Sequence, residues 1–443
     1  MTTGYPPGSK SPLALGSYLA FYRDPLGFLT KGARKFGDIS HMQLGSRHDY
    51  LVSHPDYVKE VLLAPRGMHR SFPLAFRTLL RQGLLTSRGE FHRRHRRLLQ
   101  PAFHKERIAA CGAIMTQCAT HTSERWKNSA TMEIANEMLG LTLDIVVKAL
   151  FGSDVEKEAK ELGDTWNTIV AMTHGNTFPL LDKLMAGLRL PSARRFQQAC
   201  QRLDDTIFRI INERRSGNNT HNDFLAMLLE AQDPESGALS DDQVRDEVAT
   251  MFAAGHETVG NALAWTWYLL SQNPDAETAL HKEVDSALAS RPATFEDMSI
   301  LPYTRMVFAE SMRLYPPVWI VGRRSSEEFK LGEYVLPAGS RVYMSQWVVH
   351  RDARYYPQPD RFDPLRWTPD AVAARPKFSY FPFGGGARQC IGEGFAWAVG
   401  VLVLATISQR WKLRLVPGHR VELEPLITLR PKYGMRMIVE RRK

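Results

Sequence analysis

The run Phe383-Gly384-Gly385-Gly386-Ala387-Arg388-Gln389-Cys390-Ile391-Gly392 places one cysteine behind three glycines and ahead of a long uncharged stretch. The glycines open backbone conformations closed to other residues and let the chain approach a bulky flat group. A cysteine at the start of an apolar helix meets the partial positive charge and free N–H groups of the helix N-terminus, which stabilise a thiolate. That is how a protein holds an anionic sulfur on a metal. Two other readings stay open on these residues alone. One is an inert buried cysteine beside a turn. The other is a phosphate-binding loop, although the Gly-Lys-Ser/Thr ending that such a loop needs is missing.

Three further clusters carry chemical potential. In Ala254-Gly255-His256-Glu257-Thr258, Gly255 removes a side chain where a ligand could approach, and Thr258 can hydrogen-bond into its own helix or outward. His256-Glu257-Thr258-Val259-Gly260 fails the H-E-x-x-H zinc pattern at its last position. Glu310 and Arg313 lie three apart, hence on one helix face; as an exposed pair they would contribute only ~0–1 kcal/mol. His92-Arg93-Arg94-His95-Arg96-Arg97 is the one dense basic cluster, a solvated helix face or a footprint for a polyanion.

Phe383-x-x-Gly386-x-Arg388-x-Cys390 resembles the haem-ligand signature of the cytochrome P-450 superfamily, and other motifs follow that family's order. Ala254–Thr258 resembles its oxygen-binding groove, Glu310-x-x-Arg313 its helical Glu/Arg pair, and Pro364-Leu365-Arg366-Trp367 its meander motif. The resemblance covers essentially the whole chain. It implies a mostly α fold with small β-sheets, one large domain over residues 1–443 around a buried haem. Within it, a β-rich part is expected at roughly 36–55, then a helical body, then the haem-binding loop at 383–392.

The resemblance also implies roles. Haem b would be the cofactor, with Cys390 its axial iron ligand and Phe383, Ala254 and Gly255 beside it. Arg323 and Arg388 match propionate ligands of the family. His92 and Arg96 stand where relatives carry Trp-x-x-x-Arg on a helix that binds the propionates. Glu257 and Thr258 match the acid–alcohol pair that delivers protons during oxygen activation, and Val259 stands where many relatives have a second Thr or Ser. Glu310, Arg313 and Arg366 match a buried ionic lock.

The implied function is a haem-thiolate monooxygenase that uses O2 to hydroxylate or epoxidise a largely apolar small molecule: a fatty acid, terpenoid or steroid. Electrons would come from a ferredoxin-type donor with its own reductase, docked on the basic helix by charge complementarity through Arg93, Arg94 and Arg97 unless these form a solvated face. A peroxide-using peroxygenase or isomerase is the alternative; its relatives often lose the acid–alcohol pair, so Glu257-Thr258 favours the monooxygenase. A basic nucleic-acid-binding protein is the reading from another class. Substrate contacts are expected at Phe72, Phe76, Phe252, Val318, Trp319 and Ile427, while His69, Arg70 and Arg77 would meet a substrate carboxylate or face solvent.

The elements that must position these groups are legible. Ile39–Leu44 and Tyr50–Ser53 have the aliphatic alternation of strands, and Pro55 to Leu288 is mostly helical. Ser240 and Gln243 match a capping box opening a helix that runs to Asn273-Pro274, ~45 Å at 1.5 Å per residue. A helix over Met306–Leu314 should stop before Pro316-Pro317, strands with a Pro337-Ala338-Gly339 turn span Phe329–Tyr343, and an aromatic-rich meander over His350–Phe383 leads to a final helix from about Ile391 to Gln409.

Composition fits this picture. With 443 residues, 44% hydrophobic and 23% charged, the chain is neither disordered nor a disulfide scaffold. Cys111, Cys118, Cys200 and Cys390 show no paired spacing, as expected in a reducing compartment. The start of the chain lacks the basic and apolar regions of a signal peptide or membrane anchor, so a cytoplasmic location is expected. The charge of 57 − 47 = +10 is too dilute to argue for nucleic acid outside the one cluster.

Overall fold

A computed structural model of the chain describes residues 5–9, 14–44, 47–64, 68–70, 74–152, 161–166, 168, 169, 191–217, 223–233 and 237–442. The expected pocket residue Phe72 lies outside these.

One sheet is assembled from both halves of the chain. Strands β1 (Ile39–Leu44) and β2 (Arg47–Val52) form an antiparallel pair. The short β3 (Met68–His69) pairs with β4 (Val321–Ser325), and β5 (Arg341–Met344) runs parallel to β2 with Tyr50 opposite Val342. The order is Gly8–Ser9, β1, β2, β5, β4, β3. Tyr50, Val52, Val342 and Met344 are buried on it with Val58 and Leu62 of the helix Pro55–Leu63. Far along the chain, β6 (Leu423–Pro425) and β7 (Leu429–Pro431) make a two-stranded hairpin.

Five helices frame the site: α1 (Gly89–Leu99), α2 (Ile134–Phe151), α3 (Asp241–Gln272), α4 (Pro302–Leu314) and α5 (Glu393–Ser408). Helix α3 starts where the capping box predicts. Gln243 N–H donates to Ser240 Oγ at 3.2 Å, and Ser240 N–H donates to Gln243 Oε1 at 2.9 Å. It ends at Asn273, before Pro274. Its 32 residues cross the largest core, where Leu263 and Trp267 share a cluster with Phe308 of α4 and Val401 and Leu404 of α5. Every α5 residue from Trp397 to Ser408 is buried, which explains its uncharged sequence. None of the described helices is long and apolar enough to cross a membrane.

Helix α4 holds Met306–Leu314 and opens at Pro302, which fits its first position, where no helical N–H bond is needed. One boundary differs from the sequence reading. Helix α5 begins at Glu393, so Cys390 stands in the loop before it rather than in its first turn.

Candidate functional site

The cysteine loop is a tight hydrogen-bonded fold. Gly384 N–H donates to Phe381 O, Gln389 N–H to Gly386 O, and Cys390 N–H to Phe383 O, all within 2.9–3.0 Å. Gly386 has φ +68, and a Cβ there would lie 2.3 Å from Leu62 O, so both conformation and space require glycine. The Cys390 thiol is reachable by solvent. Protein nonetheless surrounds it, and that burial pushes its pKa up, against the opposing pull of the Gly392 N–H and the Arg70 and Arg96 charges. Cys390 is thus both solvent-accessible and closely surrounded by protein. Burial also raises the Cys111, Cys118 and Cys200 thiols, the last two to about 11, so they are inert packing residues.

The same signature recurs on α3. Ala254 is exposed and Thr258 half-buried in mid-helix, while Phe252, His256, Glu257 and Val259 around them are buried. Thr258 Oγ1 donates to Ala254 O at 2.8 Å, a bond within its own helix that a ligand can compete for. Gly255 serves packing: a Cβ there would meet Val146 of α2 at 3.0 Å. Glu257 is held by Arg430 of β7, Nη2 to Oε1 at 2.6 Å.

A third wall is cationic. Arg70 Nη2 donates to Arg388 O at 2.8 Å, Arg96 Nη1 to Gln389 O at 2.6 Å, and Arg388 Nη2 to Ser87 O at 2.8 Å. Burial lowers Arg323 to about 9 and Arg388 to about 10, and in both cases neighbouring arginines, not carboxylates, add to the shift. Burial and then the Arg388, Arg96 and Arg70 charges push His92 down to about 3, leaving it a neutral ring. Helix α1, which carries His92 and Arg96, is fastened to α3 inside the protein by His95 Nδ1 and Glu247 Oε1 at 2.7 Å.

Haem is the group these walls fit. Buried cations crowded together without carboxylates are unfavourable unless anions arrive, and two propionates supply them. Among the described residues the buried Arg388 Nη1 meets no hydrogen-bond acceptor. Cys390 and Ala254 are both solvent-accessible, the latter between buried neighbours on α3.

Comparison with known proteins agrees. The pattern of the family described as Cytochrome P450 matches residues 6–436. This chain is a cytochrome P450. It is 39% identical to "Cyclooctatin synthase" and 38% to "Cyclooctat-9-en-7-ol 5-monooxygenase", both of Streptomyces melanosporofaciens, over 97% and 94% of this chain and 94% and 91% of those proteins. It is 31% identical to "Pentalenene oxygenase" of Streptomyces avermitilis over 92% of this chain and 91% of that one. Among solved structures it resembles "Retinoic acid bound cyanobacterial CYP120A1", with a TM-score of 0.89, 27% identity and full coverage of both chains. The P450 is therefore a haem-thiolate monooxygenase acting on a largely apolar small molecule with O2 and redox partners.

Behind the cysteine loop of the P450, Glu310 and Arg313 are both fully buried. Arg313 Nε and Nη2 each reach the Glu310 carboxylate at 2.8 Å, while its Nη1 donates to His350 O and Pro359 O. Arg366 Nε stands 3.4 Å from Glu310 Oε1, so the three expected lock residues come together. Trp367, not foreseen from the sequence, adds a donor: its Nε1 meets Glu310 Oε2 at 2.9 Å. The meander fixed this way leads into Tyr380, whose hydroxyl donates to Ala309 O, and on to the cysteine loop.

The expected substrate contacts divide. Val318 is half-buried and Ile427 exposed, and Trp319 Nε1 ties the two segments by donating to Leu426 O at 2.8 Å. Phe76 packs half-buried against an apolar cluster containing Leu79, Leu162 and Phe252. Phe252 itself is fully buried against Trp166 and His256, about half a turn round α3 from Ala254, so it belongs to the core. Arg77 faces solvent, and Arg70 is committed to the cationic wall; His69 and Arg70 also line a pocket with Arg88 and Arg324. The role of Arg70 had no spacing signal, because strand pairing at β3–β4 brings it to Arg388 across 318 residues.

Proposed function

We propose that this P450 oxidises a cyclic terpenoid, an olefinic hydrocarbon or its alcohol, by hydroxylation or epoxidation. The observation that carries the reading is the near full-length similarity to oxygenases whose names specify cyclooctat-9-en-7-ol and pentalenene. The lining supports it: Val318, Trp319, Leu426 and Ile427 are apolar, and the cations nearby are engaged with carbonyls or face one another rather than a substrate carboxylate.

In this proposal the chain is one domain around haem b, placed in the cytoplasm. Cys390 would ligate the iron, with Phe383 beside it. His92, Arg96, Arg323, Arg388 and, in addition, Arg70 would hold the propionates, His92 as a neutral donor. Bound haem supplies the oxygen activation, which a thiolate ligand favours. The protein does the rest. Ala254 would keep α3 thin beside the haem, Gly255 lets α3 pack closely on α2, Thr258 Oγ1 exchanges its bond to Ala254 O for one to a ligand, and Glu257 carries protons inward. The donor would be a ferredoxin-type protein docking on the exposed arginines of α1.

A spin-state titration of the haem-loaded protein tests the substrate class. Cyclic terpenes and terpene alcohols should shift the spectrum at lower concentration than straight-chain fatty acids or steroids. Preference for a fatty acid overturns the reading.

A further inference from the structure

Glu257 is gripped by the far end of the chain. Its side chain is 6% exposed, and Oε1 accepts from Thr428 Oγ1 as well as from Arg430 Nε at 3.0 Å and Nη2 at 2.6 Å. Asn261 Nδ2 donates to the same Thr428 hydroxyl at 3.1 Å, and Trp265 Nε1 to Leu429 O at 3.0 Å. Glu257, Asn261 and Trp265 are spaced four apart, so one stripe of α3 holds the β6–β7 turn residue by residue. The turn is held on its other side by Trp319 and by Leu429 N–H donating to Pro317 O at 2.9 Å. Between these anchors Ile427 is 45% exposed.

Three donors on Oε1 exceed its two lone pairs. Oε2 accepts from no described residue. The carboxylate thus has one oxygen fixed by a cation and one open to a proton, and it lies on the residue next to Thr258.

We propose that Arg430 and Thr428 are positioning residues that hold Glu257 as a carboxylate with Oε2 presented for proton transfer, and that the β6–β7 turn thereby couples substrate against Leu426 and Ile427 to proton delivery. This rests on the reading of Glu257 as a proton carrier. The proton balance closes on each transfer. An O–H bond forms at Oε2 as one breaks in a hydronium ion from solvent, and it breaks again as a new O–H bond forms on a water molecule further in, restoring the carboxylate. A ligand pressed against Ile427 would act on its neighbour Thr428, one of the donors that hold Glu257 Oε1. The other ionisable groups facing this pair are His256, kept neutral by burial, and Glu424, opposite Arg430 in the hairpin.

The test uses the haem-loaded protein with a ligand that shifts its spin state, and Arg430→Met, Arg430→Lys, Thr428→Val and Glu257→Gln. Removing the cation takes away the charge that favours the carboxylate form of Glu257. Arg430→Met should therefore show the infrared band of a protonated carboxyl, absent in Glu257→Gln, at higher pH than wild type, without turnover. In turnover its product per electron should fall severalfold and the acid limb of its pH profile should move up, with Arg430→Lys restoring most of both. Thr428→Val should move both in the same direction by less, and it serves if Arg430→Met does not fold. An unmoved pH limb, or a loss that lysine does not rescue, makes the pair merely structural and overturns the proposal. If Glu257→Gln itself keeps full coupling, the proton-carrier reading falls instead.

Discussion

Arg313 grips Glu310 through two bonds of 2.8 Å where solvent reaches neither side chain. The pair is satisfied on every side, by Arg366, Trp367 and the carbonyls of His350, Pro359 and Arg361. Removing one partner of a buried pair leaves an uncompensated charge and costs about 3–5 kcal/mol. Arg313→Met should lower the urea midpoint accordingly and reduce haem content, since the meander no longer holds the loop that bears Cys390. Retention of both, measured by denaturation and haem assay, would show that the meander holds itself.

Cys390→Ser replaces the soft sulfur donor. The reduced, carbon-monoxide-treated protein should lose the red-shifted Soret band of a thiolate-ligated haem. Because Gly386 and the carbonyl bond to Phe383 set the loop, the backbone should be unchanged, and the circular dichroism of the variant should match wild type.

His92 provides a pH signature in the apoprotein. Its pKa falls from 6.5 in the unfolded chain to about 3 in the folded one, by burial first and by Arg388, Arg96 and Arg70 next. Between these values the unfolded state binds a proton that the native state does not, so stability is lost as pH falls through that window. His92→Gln should flatten the pH dependence of apoprotein stability there. Haem propionates would offset the arginine charges, so the difference between variant and wild type should shrink on haem loading.

Thr258→Ala removes the hydroxyl now bonded to Ala254 O. Haem and substrate binding should hardly change, while electrons are diverted to peroxide. Measured peroxide per electron equal to wild type would remove Thr258 from proton delivery.

Arg93 and Arg97 present side chains 69% and 67% exposed on α1, whereas Arg94 is largely buried beside Asp233. Arg93→Gln with Arg97→Gln should slow ferredoxin-driven reduction, more at low salt than at high, without altering substrate affinity. Arg94→Gln should instead lower stability. Equal effects of all three would contradict this division of the helix.

The sequence by itself determined the family, the cysteine loop, the central helix with its cap and the four motifs, because each is local: a turn that only glycine permits, a capping box, an i,i+3 pair, a proline stop. Tertiary structure decided which neighbour each side chain meets. The run His92–Arg97 is uniformly basic on paper, yet the helical period of 3.6 turns His92 and His95 inward, sets Arg96 on Gln389 O and leaves Arg93 and Arg97 largely exposed, beside Glu90 and Asp233. Arg70 reached the cationic wall through strand pairing, and Phe252 fell on the side of α3 away from Ala254. Glu257 was legible as an acid beside Thr258, but its partner Arg430 lies 173 residues on. Such contacts are fixed by how helices and hairpins pack, a long-range outcome that leaves no spacing in the chain to read.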